Sequence, residues 1–170
     1  MTRAIGIVSG KGGVGKTTLA INIAASLAKH YNKRTALVDC NLTTSHVSLA
    51  LGIFHKPTTF NHVLRGDRTL EEATHFHESG MKVLPASLSL SDLDGVDIFH
   101  VKDRVSKLKE QNDFVLLDSA PGLGRESMGT LKAVDEVLFV TTPNILAITD
   151  VIRTNEVCQE LGIKNLGIVL

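Results

Sequence analysis

Near the N-terminus, Gly10-Lys11-Gly12-Gly13-Val14-Gly15-Lys16-Thr17 meets the spacing G-x-x-x-x-G-K-[ST] and is followed by a second threonine, Thr18. Each residue type in this run suits one part of holding a polyphosphate. Glycines reach positive φ and keep Cβ atoms away, so successive backbone N–H groups converge on an anion. Lys16 brings a point charge to the β- and γ-phosphates, and the Thr17 hydroxyl is placed to ligate Mg²⁺. A helix starting at this point adds the positive end of its dipole. Further along, Asp118 ends the apolar run Phe114–Leu117. A carboxylate at the carboxyl end of a central strand lies where open α/β sheets gather their ligands. Asp118 is therefore assigned to the magnesium shell, acting through a bound water.

The elements that must position these residues are legible as hydrophobic runs. Ala4–Val8 is a short apolar run ended by Ser9-Gly10 and reads as a buried strand. Residues 16–29 carry Leu19, Ile23 and Leu27 with alanines between, a helical period built of good formers. Thr35–Val38 is a second strand, so the first forty residues form a βαβ unit with parallel strands. Short helical pieces are expected at Val47–Leu51, Thr59–Leu64 and Leu70–Ala73, and a strand at Met81–Leu84. Ser87–Ile98 reads as a solvated, turn-rich loop. Then come an amphipathic helix over Val101–Glu110, a strand over Phe114–Leu117 and a helix over Glu126–Ala133. A strand over Glu136–Val140, a longer helix over Ile145–Leu161 and an apolar run over Leu166–Leu170 complete the chain. The expectation is one α/β domain over residues 1–170, with a mostly parallel sheet of P-loop NTPase type and helices on both faces. A buried strand at Leu170 suggests the front part of a longer domain.

Composition narrows the function classes. A chain of 170 residues with 18 basic and 18 acidic side chains has no net charge to direct it to nucleic acid or to a membrane surface. The 43% apolar and 21% charged shares are those of a globular domain, large enough to bury roughly 70% of its unfolded surface. Two distant cysteines, Cys40 and Cys158, exclude a disulfide framework or a four-cysteine zinc site and suit a reducing compartment. No run approaches the ~18 apolar residues of a membrane span, and the N-terminus lacks a signal-peptide core. A cytoplasmic location follows as the expectation.

Several other residues invite a chemical reading. His75-x-His77 would pair on a strand as metal ligands, but no third ligand lies nearby. Asp92, Asp94 and Asp97 do not keep the spacing of a calcium loop. Cys40 is read as a buried core thiol rather than a redox sensor. Glu126 is read as a helix-start charge favoured by the dipole.

The run Lys11–Thr18, K-G-G-x-G-K-T-T, resembles the deviant Walker A motif of the MinD/ParA family of ATPases. The likeness extends along the chain through Leu37-Val38-Asp39, Val83-Leu84-Pro85-Ala86, the FVLLDSAPG stretch of Phe114–Gly122, and Thr141-Thr142-Pro143-Asn144. These landmarks resemble MinD-like members, including archaeal ones, more than plasmid-partition ParA. The resemblance implies ATP and Mg²⁺ as cofactors, and a homodimer in the ATP state in which Lys11 reaches the partner's nucleotide. It also implies Asp39 near the magnesium shell, Gly122 as a backbone sensor of the γ-phosphate, and a contact between Asp150 and a loop lysine. A helix-dipole role for Asp150 stands equally open. A membrane contact, where the family has one, comes from a C-terminal amphipathic segment not found in this chain. That permits a place on the inner face of the membrane.

One landmark departs from the family. Where the first switch reads D-x-D, this chain has Asp39-Cys40-Asn41. An amide orients water but is no carboxylate base. Asn41 is therefore expected to position water and to give slow ATP hydrolysis. The absence of an (N/T)-K-x-D guanine reader around Thr142-Pro143-Asn144 favours ATP over GTP. The function expected is an ATP-hydrolysing switch of the cell-division and spatial-organisation class, with an unidentified protein partner. The alternatives are an ATP-binding interaction module without useful turnover and an Mrp-type iron–sulfur carrier. The second would need a CxxC pair that this chain lacks.

Overall fold

The computed structural model describes residues 2–54 and 57–170. The first strand, β1 (Arg3–Val8), runs into the glycine loop, and helix α1 (Lys16–Tyr31) leaves it. Asn32 ends that helix in the left-handed conformation, its N–H donating to the Leu27 carbonyl, two residues later than the apolar period indicates. The next strand, β2 (Thr35–Cys40), is buried at every position and continues through Asp39. Three short helices follow, α2 (Val47–Ala50), α3 (Phe60–Arg65) and α4 (Leu70–Ala73). Thr69 starts α4 with a capping box completed by Glu72.

A short antiparallel pair comes next, β3 (His75–Phe76) and β4 (Lys82–Leu84). The stretch expected to be plain loop holds two 3₁₀ turns, Leu90–Leu93 and Ile98–His100. Its acidic residues serve those turns: Asp92 accepts from Ser87 Oγ at 2.6 Å and Asp97 from the Phe99 N–H at 2.9 Å. Helix α5 (Val101–Gln111), strand β5 (Phe114–Ser119), helix α6 (Arg125–Leu131), strand β6 (Glu136–Val140), helix α7 (Ile145–Glu160) and strand β7 (Lys164–Val169) complete the chain.

The seven strands form one sheet in the order β3-β4-β2-β5-β1-β6-β7, parallel throughout except at β3. Side chains alternate between its faces. Ala4 and Val8, Ala36 and Val38, and Val115 and Leu117 join one core with α5, α6 and α7, while Ile5, Ile7, Leu37 and Leu116 join the other with α1. Burial on both faces explains why the central strands read as continuous apolar runs rather than alternating ones. Cys40 and Cys158 both belong to the first core as free thiols. Burial pushes both thiols upward in pKa, Cys158 to about 11. Among the described residues no helix is long and apolar enough to cross a membrane.

The position of β1 matters most. It lies between β5 and β6, with β5 in turn between β1 and β2. Asp39 and Asp118 are paired neighbours across β2 and β5. The glycine loop leaving β1 therefore opens beside both carboxylates.

Candidate nucleotide-binding site

The loop between β1 and α1 is shaped by backbone more than by side chains. Gly13 and Gly15 take φ of +77° and +96°, a region that L side chains rarely enter. Gly15 is the residue at which α1 begins, and no side chain caps it. The first turn of α1 also lacks an acidic residue. Its leading N–H groups, with the positive end of the dipole, thus face the loop unneutralised, an arrangement suited to an anion. Gly10 is required for a different reason: a Cβ there would lie 2.1 Å from the Asp150 Cβ. Asp150 therefore packs against the loop backbone, and no ion pair joins it to Lys11 or Lys16 among the described residues.

Lys16 is buried to 7% exposure. Burial lowers its pKa, and the nearby Asp118 carboxylate partly offsets that. Lys11, two positions into the loop, is half-buried. Its carbonyl accepts from Ser9 Oγ at 2.6 Å, and its ammonium has no ion partner among the described residues. Val14 packs against the α1 side of the sheet, and Gly12, Gly13, Gly15, Lys16, Thr17 and Thr18 line a pocket of about 400 Å³.

Thr17 Oγ1 donates to Asp118 Oδ2 at 2.6 Å, joining the loop to the end of β5. Asp118 is 1% exposed, and its Oδ1 is buried without a hydrogen-bond partner. Desolvation pushes its carboxyl up, against the Thr17 hydrogen bond and the Lys16 charge. Asp39 is fully buried, and desolvation raises it to about 7, with Asp118 next in effect. Two neighbouring buried carboxyls, one with an unpartnered oxygen, call for a cation. The donors are all oxygens, which suits Mg²⁺ held by one or two carboxylates together with ligand phosphates. The residues present therefore fit the metal. By contrast, His77 Nδ1 is engaged with Ser79 Oγ at 2.9 Å, and no group of three His, Cys, Asp or Glu side chains forms a metal cluster among the described residues.

Asp39 also organises the segment that follows it. Its Oδ1 accepts from the Asn41 N–H at 3.1 Å and its Oδ2 from Ser45 Oγ at 2.6 Å. The Asn41 side chain is spent on a local clasp: Nδ2 donates to the Thr44 carbonyl at 2.7 Å, and Oδ1 accepts from Thr44 Oγ1 at 2.9 Å. Because a carbonyl only accepts, the amide's orientation is fixed. In this conformation Asn41 thus closes its own loop, whereas the sequence points to it as a water-positioning group. Gly122 differs in the same way. At φ +74°, its N–H donates to the Ser9 carbonyl at 2.9 Å, so the amide expected to meet a phosphate instead ties the loop after β5 to the end of β1. Glu126 accepts a hydrogen bond from Thr43 Oγ1, linking α6 to the segment after β2. The pairing of Gly10 with Asp150 and the link between Thr43 and Glu126 had no local sequence signal.

The clasp makes Asn41→Asp informative. The substitution removes the donor to Thr44 and sets a carboxylate against a carbonyl, which releases the side chain toward the pocket. Phosphate release from ATP should rise about a hundredfold, the lower end of the range of an added general base. An unchanged rate would mark a protein that binds nucleotide without turning it over.

Comparisons agree with this geometry. Residues 2–165 match the family described as AAA domain. An uncharacterised ATP-binding protein of Methanocaldococcus jannaschii is 34% identical over 166 residues, covering 98% of this chain and 63% of the relative. The septum site-determining protein MinD of Thermotoga maritima is 29% identical, with 97% and 61% covered. The chain thus spans a little under two thirds of the length of these relatives. The structure of the septum site-determining protein MinD from Pyrococcus horikoshii, complexed with Mg-ADP, superposes with a TM-score of 0.95 at 33% identity, covering all of this chain and 70% of that one. The chain thus belongs to the MinD/ParA family of P-loop ATP-binding proteins.

Proposed function

We propose that the protein is an ATP-hydrolysing switch that dimerises in the ATP state and acts on a protein partner, within the cell-division and spatial-organisation class. The observation that carries this reading is the join between the glycine loop and β5. Thr17 is hydrogen-bonded to a buried Asp118 that keeps one oxygen unpartnered, beside the buried Lys16. An arrangement that buries so much charge is stabilised by a polyphosphate and its cation.

Each residue then has a task. The N–H groups from Gly12 to Thr18 hold the phosphate chain, and Lys16 neutralises its outer phosphates. Thr17 and Asp118 would hold Mg²⁺, with Asp39 adding negative charge behind them, and the cation would supply neutralisation of phosphate charge. Gly122 releases the Ser9 carbonyl to meet the γ-phosphate, which moves the loop after β5. Lys11, with no ion partner among the described residues, is free to reach the nucleotide of a second copy. Such an added cation, supplied in other enzymes as an arginine finger, contributes ~10³–10⁵ in rate. We place the protein in the cytoplasm, where its two buried free cysteines are at home.

Light scattering tests the switch directly. The mass should be that of a dimer in Mg-ATP and of a monomer in Mg-ADP. Lys11→Ala should leave a monomer in both and lower turnover at least ~10³-fold. Equal masses in both nucleotides, with Lys11 indifferent to substitution, would leave an ATP-binding module instead.

A further inference from the structure

Around the 400 Å³ pocket, the wall opposite the glycine loop is built from the segment after β2, namely Asn41, Thr44, His46 and Ala50. Of these, Asn41 and Thr44 have their polar side-chain atoms tied to each other. Ala50 has none. His46 is exposed, and its imidazole makes no hydrogen bond to a described residue. It lines the same pocket as Lys16 and Thr17, the residues suited to the outer phosphates and their cation. Its backbone is held while the side chain is not, since the His46 carbonyl accepts from the Ala50 N–H at 2.9 Å. An imidazole offers a donor nitrogen in either tautomer, and a donor is what a phosphate oxygen needs.

We infer that His46 contacts the terminal phosphate of the bound nucleoside triphosphate and makes the site select ATP over ADP. The inference rests on reading this pocket as the nucleotide site. It gives the segment after β2 a phosphate contact that Asn41, closed on Thr44, does not supply. A hydrogen bond to a charged oxygen that ADP lacks favours ATP alone, by about tenfold.

Titration calorimetry with Mg·ADP and with a non-hydrolysable Mg·ATP analogue separates the possibilities. His46→Ala should weaken the triphosphate analogue about tenfold and leave Mg·ADP within about twofold, and His46→Gln, which keeps a donor, should recover part of the loss. Circular dichroism melts without nucleotide should coincide for the three proteins, because the His46 imidazole has no hydrogen-bond partner among the described residues. If the unchanged protein binds both nucleotides and the His46 variants lose neither or both equally, the inference fails while the nucleotide site stands. If the unchanged protein binds neither, both readings fall together.

Discussion

Replacing Lys16 by alanine removes at least about two thirds of the rise in melting temperature that Mg-ATP gives the unchanged protein. Truncating one partner of a desolvated charge pair costs about 2–5 kcal/mol, which weakens the nucleotide roughly 30- to several thousandfold. A ligand present at a hundred times its Kd stabilises by ~2.7 kcal/mol, or about 5–10 °C for a domain of this size. That shift should fall to about a third or less in the variant. The melt without nucleotide should move little, or upward. Burial works against the Lys16 ammonium more strongly than Asp118 supports it, so its removal relieves a desolvation cost. A thermal shift series in apo, Mg-ADP and Mg-ATP conditions reads both effects. A large apo destabilisation with the nucleotide shift intact would instead assign Lys16 a purely structural role.

Gly10→Ala should destabilise the apo protein. The added methyl carbon would lie 2.1 Å from the Asp150 Cβ and 3.1 Å from its Cγ. Neither atom is the free end of a long side chain, so either the loop or α7 must shift. Overpacking of this kind costs about 1–3 kcal/mol and sometimes more, lowering the melting temperature by roughly 2–12 °C. Nucleotide affinity should fall as well, because the loop that moves carries the phosphate-binding amides. The cause can be isolated in a double-mutant cycle. Asp150→Gly removes the opposing carbon at a helix-propensity cost of about 0.3 kcal/mol. In that background Gly10→Ala should cost far less than it does alone. Additive losses would show that the two residues do not meet.

The phosphate loop was readable from sequence because its chemistry is local. Glycines, lysine and threonine lie within a few residues, and strand and helix periods on either side give their context. Asp118 was readable because an apolar run ended on a charge, which in a parallel sheet marks the ligand-binding edge. Burial of both sheet faces also kept the central strands continuous and so easy to see. The features that were not legible share a cause: each concerns which partner a group meets in this conformation, and that depends on the fold. Nothing near Gly122 indicates that its N–H meets the Ser9 carbonyl, nor does anything near Gly10 announce Asp150. The Asn41–Thr44 clasp is local, but a switch aspartate replaced by asparagine drew attention to catalysis before turn geometry. The strand at His75–Phe76 was missed because two residues carry no period. The start of the last strand at Lys164 was missed because its first residues are polar and exposed on the sheet edge.

The strand order bears on how the protein comes together. β1 makes its hydrogen bonds with β5 and β6, both encoded far downstream, and β2 reaches β1 only through β5. Such pairings have high contact order and must meet the entropy of closing long loops before they gain anything. The glycine loop and the start of α1 can form early, since both are local. Asp118 arrives beside Thr17 only once β5 is inserted between β1 and β2. On the proposed function, nucleotide and cation together would recognise a late, nearly complete state of the chain. Their binding would act on the rate of unfolding far more than on the rate of folding, making ligand occupancy a kinetic lock on the assembled sheet.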